Sequence, residues 1–203
     1  MKFKTNNILL LLVFFLASFI VNSQTIVIKE DNAQLKFIKS KKASKIINAS
    51  NIYIKSKGLK RILVKIKMKS LNNKKQLFDP NKFSLIDFNY KFRYRPTDIL
   101  FQNFTDWWHF KKISKTKPKK KLNDYIYSPD IDDVFLDYDF EGIKNVEIPI
   151  NINTKRNPDI HIIHFKPKEL KSRNIYIYFP FPSGLKTAVL YYGNEKITDI
   201  DFK

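Results

Sequence analysis

Residues 58–94 read GLKRILVKIKMKSLNNKKQLFDPNKFSLIDFNYKFRY, and this stretch decides the fold class. Ile62, Val64, Ile66 and Met68 alternate with Leu63, Lys65, Lys67 and Lys69, a period of two that places the first set on one face of a long strand. Asn72 and Asn73 close that run with turn chemistry. Phe83-Ser84-Leu85-Ile86-Asp87 then reads as a shorter strand, and Tyr90, Phe92 and Tyr94 share a face opposite Lys91, Arg93 and Arg95.

The same period recurs on both sides of this stretch. Ile52 and Ile54 alternate with Tyr53 and Lys55, and Val146, Ile148, Ile150 and Ile152 with Glu147, Pro149 and Asn151. Ile175, Ile177 and Phe179 alternate with Tyr176 and Tyr178. Ala188, Leu190 and Tyr192 lead through Gly193-Asn194 into residues 196–200, which predicts a hairpin with a two-residue turn. Helical periodicity is missing beyond residue 24. Many short strands spaced by turn residues predict an all-β domain, with a two-sheet β-sandwich as the leading architecture and a closed barrel as the alternative. With neither an internal repeat nor a flexible linker, residues 24–203 read as one domain.

The order of these features resembles an immunoglobulin-like domain family of unknown function. That family occurs in bacterial exported proteins and lipoproteins and is related to a mycobacterial immunoprotective extracellular antigen. The first half carries the family's long strand ending at Asn72 and Asn73, the Phe83, Leu85 and Asp87 positions, and an aromatic strand at Tyr90, Phe92 or Tyr94. The second half, FKPKELKSRNIYIYFPFPSGLKTAVLYYG over residues 165–193, supplies Pro167 and Glu169 of the turn, then Phe179 and Pro182 near a strand end. Two positions depart from the pattern: Lys168 and Asn89 stand where the family carries Gly. The resemblance covers residues 58–101 and 144–200. It implies an immunoglobulin-like sandwich in an extracytoplasmic setting, and it implies no catalytic residues.

The N-terminus predicts export. Lys2 and Lys4 form a short positive region, residues 8–21 carry no charge, and Val21 and Ser23 suit the −3 and −1 positions of a signal peptidase. Residues 1–23 are therefore expected to be a Sec signal peptide cleaved before Gln24. The uncharged run is short of the roughly 20 apolar residues that span a bilayer. Cysteine is absent from the chain, which excludes disulfides, thiolate catalysis and the cysteine of a lipoprotein anchor. The expected destination is the periplasm or the cell exterior.

Charge is the other compositional signal. Without Lys2 and Lys4, 36 basic residues face 19 acidic ones, a net charge of +17. Such an excess suits nucleic acid, an acidic polysaccharide or an anionic membrane surface. The abundance of Lys, Asn, Ile, Phe and Tyr also follows AT-rich codon usage, so part of the charge has a compositional origin.

Residues 103–143 interrupt the strand pattern as a long charged insertion. Lys111, Lys112, Lys115, Lys117, Lys119, Lys120 and Lys121 form a basic limb. Asp124, Asp130, Asp132, Asp133, Asp137, Asp139 and Glu141 form an acidic limb with no Lys or Arg between residues 122 and 141. The favoured expectation is that the two limbs pair with each other. The alternative is a polyanion or membrane-surface site built from Trp107, Trp108, Lys111, Lys112, Lys117, Lys119, Lys120 and Lys121, with rings at headgroup level and cations beside them.

Other chemistry has weaker signals. His161 and His164 are three apart on β-structure and face opposite sides, so one metal cannot take both. His109 beside Trp107 and Trp108 fits an aromatic cluster better than a general base. The acidic limb departs from the calcium-loop pattern, since Phe135 holds the sixth position counted from Asp130. The chain contains no nucleophile elbow, phosphate loop or dinucleotide fingerprint, and only four glycines. The expectation is a noncatalytic binding or interaction module at the cell envelope, without a cofactor and without specific nucleic-acid recognition. Its partner would be another envelope protein or an anionic surface. Assembly through exposed sandwich edges is a further alternative.

Overall fold

The computed structural model describes residues 25–43, 58–103, 106–154 and 156–202. The export segment and the Ile52/Ile54 alternation lie outside these residues. The described strands are β1 (Thr25–Ile28), β2 (Ala33–Lys42), β3 (Leu59–Ser70), β4 (Gln76–Phe78), β5 (Phe83–Asp87) and β6 (Phe92–Tyr94). Next come β7 (Asp98–Asn103), β8 (Asp106–His109), β9 (Lys112–Ser114), β10 (Tyr125–Tyr127), β11 (Lys144–Val146) and β12 (Ile150–Asn151). The last are β13 (Ile160–His161), β14 (His164–Phe165), β15 (Lys168–Leu170), β16 (Ser172–Pro182), β17 (Thr187–Tyr192) and β18 (Glu195–Asp201). A 3₁₀ turn at Pro80–Lys82, capped by the Asp79 carboxylate, is the only helical element among the described residues. The protein is all-β.

The long alternating strand is central. β3 pairs with β16 on one side and β2 on the other in a six-stranded antiparallel sheet ordered β1-β2-β3-β16-β7-β8. Opposite it lies a five-stranded sheet ordered β11-β6-β5-β17-β18. Ile62, Val64, Ile66 and Met68 all face inward and are fully buried, as their spacing predicts. They join Ile175, Ile177 and Phe179 of β16 and Leu85, Leu190 and Ile197 of the second sheet in one continuous core. Two sheets enclosing one core are compatible with a β-sandwich. The predicted hairpin also forms: Tyr192 pairs with Glu195, and Gly193 takes φ of +57° at the first turn position.

Three stretches differ from the sequence reading. Residues 146–152 do not form one strand: Pro149 lacks an N–H, and β11 and β12 on its two sides join different sheets. The outer face of the six-stranded sheet is not left to water, because Leu63, Leu100, Tyr176 and Tyr178 make a second buried cluster there. The insertion at 103–143 is folded into the domain. β8 extends the large sheet, β9 joins β10 and β14 in a small sheet, and β11 just beyond pairs in parallel with β6.

The face of β6 opposite Tyr94 is also buried. Arg93 donates to the carbonyls of Phe135 and Tyr138 at 2.8 and 2.6 Å, with its guanidinium 3.7 Å from the centre of the Phe135 ring. Arg95 pairs with Asp133 at 2.6 Å and Glu147 at 2.7 Å. The acidic limb therefore covers the second sheet and supplies two carbonyls to Arg93 and the Asp133 carboxylate to Arg95.

Candidate functional site

The β7–β8 hairpin forms one edge of the large sheet. Strand alternation sends consecutive side chains to opposite faces, and Trp107 and Trp108 obey it. Trp108 is opposite Phe101 and Trp107 opposite Gln102. Trp107 leans edge-on against Tyr176 on the outer face, with ring centres 4.3 Å apart. The two tryptophans belong to separate surfaces and do not make one aromatic patch.

Trp108 stands beside a groove of about 620 Å³. Leu77, Phe101 and Phe110 supply its apolar wall, and Lys75, Lys111, Lys166 and Lys168 its cations, against Asp124 and Glu169. An adjoining recess shares Lys75, Phe101, Trp108 and Lys168 and adds Lys171 and Arg173. Trp108 remains 53% exposed, unusual for the largest apolar side chain.

Local structure explains the convergence. The β15–β4 ladder pairs Lys168 with Phe78 and Leu170 with Gln76, which carries β15 to the segment holding Lys75. The Lys166 N–H donates to the Lys111 carbonyl at 2.8 Å, joining the 165–170 segment to the end of the hairpin. Lys168 Nζ lies 5.4 Å from the Phe101 ring centre.

Of the residues expected to form a polyanion site, Trp108 and Lys111 line this groove. Lys112 does not. It is fully buried, its ammonium 3.1 Å from Asp98 Oδ1, so it cannot contribute to a surface. Lys117, Lys119, Lys120 and Lys121 are exposed but outside the groove. The Lys119 N–H donates to Asp159 and its ammonium to the Pro158 carbonyl, which anchors that loop to the β12–β13 connection.

The expected pairing of the two limbs is also corrected. Among the described residues no ion pair joins the lysine run to residues 124–141; Asp133 goes to Arg95 and His164 instead. Arginine wins here because its planar fork serves several acceptors in a dry site, where an ammonium is costlier to desolvate. Lys75, Lys166 and Lys168 were missed because they come from distant segments. Lys-Pro-Lys at 166–168 was the one local hint.

Two buried polar clusters are built on β9, one at Lys112 and one at Ser114. Asp98 accepts from the Ile99 N–H at 3.0 Å and faces His109 Nδ1 at 3.3 Å as well as Lys112. Burial alone would raise the Asp98 carboxyl, but the Lys112 charge and then His109 hold it down at about 2. His109 is thus tied to an aspartate rather than to an aromatic cluster.

The second cluster is a chain in which Ser114 Oγ lies 2.7 Å from His161 Nδ1, and His161 Nε2 lies 2.7 Å from Asp159. This has the order of a nucleophilic triad, with the imidazole nitrogens reversed relative to a serine protease. Ser114 is buried and already bonded to the Thr116 carbonyl and N–H. The chain fastens β9 to β13. His164 points elsewhere, to Asp133 and Arg95, so the two histidines are apart as strand geometry requires. Among the described residues no three His, Asp or Glu side chains gather as a metal site.

No protein-family model, curated protein or solved structure matches this chain.

Proposed function

We propose that this protein is an exported, noncatalytic immunoglobulin-like β-sandwich that binds an anionic polysaccharide at the cell envelope through the groove beside Trp108. One observation carries the reading: Lys75, Lys111, Lys166 and Lys168 converge from three chain segments on an exposed tryptophan. Like charges repel, so their gathering costs folding free energy that a polyanion would offset. The indole offers a flat apolar face to a sugar ring while the ammoniums meet its acidic groups. A volume of about 620 Å³ suits a few sugar units of a longer chain. The concavity favours a polymer over a flat bilayer, which Trp and Lys would meet best from a protruding surface.

The export half of the proposal is supported by residues 1–23 and is tested by N-terminal sequencing of native protein, which should begin at Gln24. The binding half is tested with the mature chain on heparin as a probe polyanion. Retention should fall steeply with salt, and the Lys166→Gln/Lys168→Gln variant should flatten the log–log salt slope by about two, near one per ammonium. Equal weakening by Lys120→Gln/Lys121→Gln, outside the groove, would show that net charge alone is responsible. Edge-to-edge assembly is the second reading, favoured by β8 lying at the open edge of the large sheet. It predicts a sedimentation coefficient that rises with protein concentration.

A further inference from the structure

The outer face of the large sheet carries a separate cleft of about 210 Å³. Trp107, Tyr176 and Tyr178 with Leu63 and Leu100 make its floor and wall, and Lys39, Lys41 and Lys65 stand around it. No acidic residue lines it among the described residues. We infer that this cleft is a second binding site, for a single six-membered ring bearing an anionic group.

Size, surface and charge each narrow the ligand. The volume admits one ring and excludes a polymer segment, whereas the Trp108 groove is about three times larger. Trp107 and Tyr176 meet at an interplanar angle of 62°, a corner that touches a flat ring on its face and on its edge at once. Trp107 remains 39% exposed although it has an aromatic neighbour to pack on.

The cations complete the case. Lys65 Nζ, one of the three lysines around the cleft, sits 5.1 Å from the centre of the Tyr176 ring. A carboxylate or sulfate in the cleft would neutralise the charge of Lys39, Lys41 and Lys65 around it. Because Trp107 and Trp108 face opposite sides of β8, the site is independent of the groove and does not rest on its assignment.

Two ring sources share this chemistry, a uronic acid sugar and an aromatic carboxylate, so glucuronate and benzoate serve as separate probes in calorimetric titrations, with glucose as the neutral control. At least one anionic probe should bind saturably with a dissociation constant on the order of 1 mM, the range for so few heavy atoms. The tighter of the two identifies the source, and glucose should bind at least about tenfold more weakly. Trp107→Ala should abolish binding and Trp108→Ala leave it unchanged. Lys41→Gln, at an exposed position, should weaken binding severalfold even if Trp107→Ala loosens the edge strand. Failure of both anionic probes to saturate, equal binding of glucose, or equal loss in Trp107→Ala and Trp108→Ala would each overturn the site.

Discussion

Lys112 belongs to a run of lysines that resembles a solvated binding surface, yet the fold makes it a buried partner of Asp98. Replacing it with Met keeps the length and apolar stem while deleting the ammonium. Both members of the pair are almost inaccessible, 0% and 1% exposed, and the separation is 3.1 Å. Breaking such a pair leaves an uncompensated buried carboxylate, at a cost of about 3–5 kcal/mol. His109 Nδ1, 3.3 Å from the same oxygen, keeps one polar neighbour at the carboxylate, which points to the lower half of that range.

The assay is urea denaturation of Lys112→Met and wild type across a pH series, with exposed Lys120→Met as control, expected within about 0.5 kcal/mol of wild type. The sign follows from Asp98. Its folded value of about 2 lies below the unfolded value of ~3.9, so its contribution is present above pH ~4 and disappears as pH falls through 2. The wild-type advantage over Lys112→Met should therefore grow between pH 2 and 5, by on the order of 2 kcal/mol. A loss under about 1 kcal/mol at pH 7, or a difference that does not vary with pH, would refute the buried-pair account. Weakened heparin retention with unchanged stability would return Lys112 to the surface.

Ile66→Ala should cost about 2–5 kcal/mol by lost transfer and cavity formation, and Lys67→Ala on the exposed face close to nothing, both read from urea midpoints. Arg95→Met removes the partner of Asp133 and Glu147, and should open the 130–141 cover to limited proteolysis before the core unfolds. Burial would raise the Asp133 carboxyl, but His164 and Arg95 together hold it well below the usual range. That contribution too is present above pH ~4 and disappears in acid, so the wild type's resistance of this cover to proteolysis should fall as pH is lowered. Gly193→Ala faces φ of +57° and would place its Cβ 3.0 Å from Tyr138 Cε1, so a thermal scan should show a loss of about 1–3 kcal/mol.

The strand identities were legible because alternation is a local property: one buried face imposes a period of two on β3, β16, β17 and β18 whatever their partners. Breaks in that rule had tertiary causes. Lys112 carries the same charge in sequence as Lys120, and only the closing of β9 against β14 and β10 decides that one meets Asp98 and the other meets water. The Trp107-Trp108 pair contained a legible answer that the charge run obscured, since adjacent residues on a strand cannot share a face. The Trp108 groove was beyond local reading, because Lys75, Lys111 and Lys166 are separated by dozens of residues and meet through ladders that no single segment specifies.

By itself, then, the sequence determined that the chain is β-structured, which rows of side chains are apolar, and how much charge it must place. Those are sums and periods over neighbouring residues. Which charges are buried in pairs, which remain free, and where the free ones gather around an aromatic ring was decided only by tertiary structure. The energy of a charge depends on its distance to partners remote in the chain and on the water that packing excludes.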